Sequence, residues 1–315
     1  VATLLAAAGL IVGRLVPRMT SLPLLLNIPY LVVVVCFVVF TIVEAFRHGG
    51  TGAVPPGIGP GVLAGLAGAV MAARTSTTPV VGDRLTNVAT RCIGIASLVL
   101  AAVAVLCNVF WRTRFLIPGI GNSDTGGLNA MTVIGALIYG LVAIVPVVIA
   151  ARWMLSSDGA SRLATLLLGA SSVIAVVLVW LLPVGRDLDS FHGIAQNTST
   201  AGVGFEGYLA WVAVAALAAT PATIAAYGRQ SGWSGAIRKS LVLIAAWCTG
   251  TAVLRVFDLI SNAVLDLRAV PYNGTALMAF DIVTAVLAMW LFVNAFRRSR
   301  TVRLTALLLG VLFVL

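Results

Sequence analysis

Of 315 residues, 60% are hydrophobic and only 10% charged, against about 25% charged in a soluble domain; with a mean hydropathy of +1.08, water could not solvate so much apolar surface. The net charge of +10 sits in short Lys and Arg clusters between apolar runs, with no continuous basic face and no interleaved stacking aromatics, so no nucleic-acid partner is expected. Cys36, Cys92, Cys107 and Cys248 form no C-x-x-C pair and have no histidine at ligand spacing, which sets aside zinc and thiol-redox motifs and leaves them as packing residues.

Crossing a hydrocarbon layer of about 30 Å takes about 20 helical residues at about 1.5 Å each. Applied along the chain, that ruler predicts an all-α fold, a polytopic transmembrane helix bundle of about ten spans forming a single membrane-embedded domain over 1–315. The spans are expected near 1–13, 22–46, 57–73, 92–111, 128–151, 163–184, 207–226, 241–265, 276–296 and 304–315. The first and last are cut short by the ends of the sequence, so the expectation is a segment truncated at both ends.

Membrane lipids are then its surroundings, and the basic residues set its orientation, because cytoplasmic loops carry the excess of Lys and Arg. Odd-numbered loops hold fourteen of the twenty basic residues and even-numbered loops five, with Arg255 inside the eighth span. Odd loops are therefore expected in the cytoplasm of a plasma (inner) membrane, and the even loops, including the long sixth, outside it. Eight of the ten acids fall toward the outer side, which predicts an electronegative outer face.

In the third span Gly57, Gly61 and Gly65 recur at four-residue spacing, continued by Ala69 and Ala73, so one helix face is almost bare and lets another helix approach closely. Pro29, Pro146 and Pro221 lie inside other spans, each removing a backbone donor. After the fourth and ninth spans Asn108-x-Phe110-x-Arg112-x-Arg114 recurs as Asn294-x-Phe296-x-Arg298-x-Arg300. That match is too short to establish an inverted repeat.

The sixth loop, Gly185 to Glu206, gathers Asp187, Asp189, His192 and Glu206. These are the residue types of a general base beside a membrane-bound acceptor, or of the start of a cation site. A solvated histidine accounts for so sparse a set more simply, and no metal is assigned. The string Gly202-Val-Gly-Phe-Glu-Gly207 matches G-x-G-x-x-G but leads into a membrane span rather than out of a strand, so no dinucleotide cofactor is expected.

The eighth span carries a polar stripe: Cys248, Thr251, Arg255, Asn262 and Asp266 fall within about 40° of one direction at about 100° per residue, with Asp258 about 60° aside. An arginine facing lipid near the bilayer centre costs about 2.5–3.5 kcal/mol, so Arg255 is expected to have an acidic partner. Asp258 on the same helix and Asp281 in the ninth span both stand at a suitable depth, and the pair could involve either or both. A static tie between two helices and a gated polar pathway are both compatible with the pattern.

The run Leu182-Pro-Val-Gly-Arg-Asp-Leu-Asp-Ser-Phe-His-Gly-Ile-Ala-Gln-Asn-Thr-Ser-Thr-Ala-Gly-Val-Gly-Phe-Glu-Gly-Tyr-Leu-Ala-Trp211, with Asn108-Val-Phe-Trp-Arg-Thr113 before it, resembles an uncharacterised family of mycobacterial and related actinobacterial membrane proteins. The resemblance covers most of the chain. It implies a multi-pass body behind a Pro/Gly-rich cytoplasmic tail, in a plasma membrane beneath a mycolate envelope, and it carries over no site residue.

Three function classes are consistent with these features. A non-enzymatic integral membrane subunit or scaffold of a cell-envelope or transport complex, with a protein partner in the membrane, fits the bare glycine face and the scarcity of intramembrane charge. A transporter of a small solute or lipid would use the polar eighth helix. An extracytoplasmic transferase acting on a lipid-linked substrate would use the sixth loop. The first class, which needs no cofactor, is the leading expectation.

Overall fold

The computed structural model describes residues 22–48, 60–72, 84–156, 158–181, 202–219, 224, 230–265 and 274–294. Among the described residues the regular elements are helices, with no strand: α1 Leu22–His48, α2 Pro60–Ala72, α3 Arg84–Thr113, a 3-10 turn at Ile117–Gly119, α4 Gly126–Leu155, α5 Gly159–Leu181, α6 Gly202–Ala218, α7 Gln230–Val264 and α8 Gly274–Asn294.

Side-chain contacts set the directions of the helices. Tyr30 and Asn27 of α1 reach the backbone of Gly65 and Ala69 of α2, an antiparallel hairpin. The α3–α4 pair runs antiparallel too, with Gly94 against Met154 at one end and Val105 against Gly140 further along. Leu241 and Ala245 of α7 pack with Leu291 and Ala288 of α8 in the same sense. Because α7 also lies on α4 and α5, the start of α3, the end of α4, the starts of α5 and α7 and the end of α8 share one end of the bundle.

Small residues fill the interior. Ala101, Ala150, Ala151, Ala164, Ala236 and Ala288 are all 0% exposed, whereas Leu141, Val286 and Val293 on the periphery are 66%, 62% and 71% exposed. A soluble core would hide the large apolar side chains; a bundle in lipid gains nothing by hiding them and associates instead through close backbone approach. The α5–α6 contact shows this most clearly. A Cβ on Gly169 would stand 2.5 Å from the Trp211 carbonyl oxygen and would collide with the Ala215 side chain.

Among the described residues four helical segments are long and apolar enough to cross a membrane: Thr86–Val103, Gly126–Leu155, Gly232–Val264 and Thr275–Asn294. They point to a membrane location. The expected count of about ten is not supported among the described residues. Leu25–Phe40 and Gly159–Ile174 are shorter apolar stretches, the 13 residues of α2 rise about 20 Å, and 1–13 and 304–315 lie outside the described residues.

The boundaries differ in the same way. The expected span 207–226 is observed as α6 from Gly202 to Ala218, so the end of the expected sixth loop is helical, and Pro221 lies outside the described residues. The expected span 241–265 begins eleven residues earlier, at Gln230, because backbone hydrogen bonding continues through polar residues whose long side chains reach out of the apolar layer. Asp158 explains the start of α5: its carboxylate accepts the Ser161 backbone N–H at 3.0 Å, an N-cap bond to the third helical residue.

Candidate functional site

The polar stripe of α7 meets polar groups from two neighbouring helices. Arg255 Nε donates to Asp281 Oδ2 of α8 at 2.9 Å, and the two side chains are 33% and 12% exposed. One turn further, Asp258 accepts the Tyr139 hydroxyl of α4, shared between its two oxygens at 2.9 and 2.8 Å. The two acids within reach of Arg255 are thus divided: Asp281 holds the guanidinium and Asp258 holds the phenol. Together they tie α4, α7 and α8 at one level. Thr251 donates back to the carbonyls of Trp247 and Cys248 within its own helix, and Cys248 is buried at 2% exposure.

Around this group the walls are apolar, formed by Ala143 and Leu254 with Val105, Ile138, Tyr139, Val142 and Trp247. In such surroundings a hydrogen-bonded ion pair keeps its geometry, since moving either side chain away leaves the other charge without its partner. The arrangement is suited to fixing helix register and contains no nucleophile–base pair.

Other residues singled out by the sequence are dispersed. Asn262 is half-buried further along α7. Glu206 lies in α6, and Gly61 and Gly65 lie in α2, where Gly65 faces Tyr30 and Val34. Asp187, Asp189, His192, Asp266 and Gly57 lie outside the described residues. The Gly202–Gly207 string forms the first turns of α6. Among the described residues there is no group of three or more metal-ligating side chains.

A second polar group, at the shared end of the bundle, was not anticipated from the sequence. Lys239 Nζ donates to Ser161 Oγ at 2.6 Å and stands 3.5 Å from Asp158 Oδ2. Arg162 reaches Thr90 Oγ1 at 3.3 Å and Asn87 Oδ1 on α3. Burial alone would raise the Asp158 carboxyl, but hydrogen bonds from the Ser156 and Ser161 hydroxyls and the Ser161 backbone N–H, with the Lys239 charge, outweigh it and hold the group well below the usual carboxylate range. The legible signal was Asp158-Gly-Ala-Ser161-Arg162 ahead of an apolar run, a helix-start pattern.

Fold and site together define an all-helical membrane-type bundle with an interhelical ion pair. Over residues 1–315 the chain belongs to the family described as a domain of unknown function, DUF7937, consistent with an uncharacterised family. No curated protein and no solved structure matches it.

Proposed function

We propose that the chain is a non-enzymatic membrane subunit or scaffold of a larger cell-envelope or transport complex, crossing the membrane about ten times with its odd-numbered loops in the cytoplasm. The observation that carries this reading is the state of the intramembrane polar groups. Arg255, Asp281, Asp258 and Tyr139 are engaged with one another across three helices, as ties, while Arg255 remains a third exposed on the periphery. A charge that flanks Val256 at 42% and Leu259 at 43% exposure would sit against lipid in an isolated chain, at a cost that a neighbouring membrane helix removes.

The concentration of Arg152, Arg162, Arg238 and Lys239 at one end of the bundle supports the orientation. A photo-cross-linking residue at Val256 or Leu259 in native membranes tests the subunit reading. The expected result is one membrane protein captured in near-stoichiometric yield. Adducts to lipid alone, together with a solute flux abolished by Asp281→Asn, would favour the transporter instead.

A further inference from the structure

A cleft of about 500 Å³ opens at the basic end of the bundle, between α4 and α7, lined by Ile149, Arg152, Trp153, Ser156, Lys239 and Val242. Its volume falls within the range of about 300–1,000 Å³ usual for small-molecule sites. The geometry points to a binding site for the phosphate of an anionic phospholipid headgroup. Arg152 makes no ion pair among the described residues, and its guanidinium offers a planar fork of donors matched to phosphate oxygens. Lys239 has three N–H donors. Ser161 takes one of them at 2.6 Å and the Asp158 carboxylate stands 3.5 Å away, which fixes the ammonium in the cleft wall with donors to spare.

The charges give the cleft a net positive balance, Arg152 and Lys239 against Asp158. Lipid, rather than free phosphate, is favoured by what lies beneath the cations. From Arg152 one face of α4 descends through Ile149 and Val148 to Val145, at i−3, i−4 and i−7, and Val148 and Val145 are 42% and 37% exposed. Val242 continues the apolar wall on α7 at 39% exposure. A phosphodiester held at Arg152 would thus have its acyl chains on an apolar helix face, where basic pockets between membrane helices receive anionic headgroups.

The test uses the purified chain in detergent, titrated separately with short-chain phosphatidylglycerol, phosphatidylcholine and inorganic phosphate while thermal stability is followed. Phosphatidylglycerol is expected to raise the Tm, with an apparent affinity about fivefold weaker in Arg152→Gln, the loss of one basic contact at an anionic headgroup. Arg152→Lys should keep most of the affinity, and Arg114→Gln, an equal loss of charge at the opposite end, should keep all of it. Equal stabilisation by phosphatidylcholine, or unchanged affinity in Arg152→Gln, would overturn the site. Equal stabilisation by inorganic phosphate would overturn the lipid assignment.

Discussion

A guanidinium at the depth of Arg255 is tolerated where an acid or water meets it, and here Asp281 meets it at 2.9 Å. Breaking a buried pair from one side costs about 3–5 kcal/mol; with the Arg255 side chain 33% exposed, solvation of the freed charge recovers part. Asp281→Asn is therefore expected to lower stability by about 2 kcal/mol in detergent, and adding Arg255→Gln should recover some of that loss in a double-mutant cycle. Thermal unfolding reads both, and full stability of the single variant would show the pair to be incidental. Tyr139→Phe removes the phenolic donor to Asp258 and is expected to cost about 1–2 kcal/mol by the same measurement. Asp258 unaffected by that change would mean that α4 is held to α7 by packing alone.

Asp158 gives the pH dependence. Its folded-state pKa is depressed below the ordinary 3.8, so the stability it contributes is fully present above the ordinary value and is lost as pH falls through and below it. The Tm difference between wild type and Asp158→Asn should stay constant from neutral pH to about pH 5 and shrink below about pH 4. A difference that changes between pH 6 and 8 would implicate another group.

Among the helices, glycines at contacts behave differently according to what faces them. At Gly169 an added methyl meets the Trp211 carbonyl and Ala215, both on backbone that cannot step aside, so Gly169→Ala should destabilise by about 1–3 kcal/mol. At Gly65 the same methyl would meet Val34 and Tyr30 at 3.7 and 3.8 Å, ordinary contact, and the better helix propensity of alanine should make Gly65→Ala neutral or stabilising by about 0.5–1 kcal/mol. Comparative unfolding of the two variants checks the contrast; the reverse order would move the tight helix contact to α2.

The contrast marks how far the sequence could be read. Four-residue glycine spacing was visible in the third span, yet spacing cannot say whether the opposing surface is backbone or a yielding side chain. The lone Gly169 has no pattern at all, and its closeness to α6 is a property of two helices that pack through residues far apart in the chain. Arg255 and Asp281 were legible because a charge in an apolar run demands a partner of opposite sign. Tyr139 was not, since a tyrosine in a membrane helix has many apolar reasons to be there. The Asp158–Lys239–Ser161 group was missed because its start signal lay within the expected fifth loop, outside the apolar ruler, and the lysine comes from a helix whose start was placed eleven residues too late.

Taken as one body, the bundle concentrates Arg152, Arg162, Arg238 and Lys239 at one end, while Asp124 precedes α4 toward the other and Asp281 lies in the first half of α8. The orientation proposed above, which rests on the positive-inside rule, has the first end in the cytoplasm. The most direct measurement is labelling of intact cells with a membrane-impermeant maleimide, in a chain whose four cysteines have been replaced and a single cysteine introduced at Ser156 or at Ser123. A bundle that crosses the membrane in the proposed sense reacts at position 123 in intact cells and at position 156 only after permeabilisation. Reaction at 156 in intact cells, or a chain that leaves the membrane fraction without detergent, would contradict it.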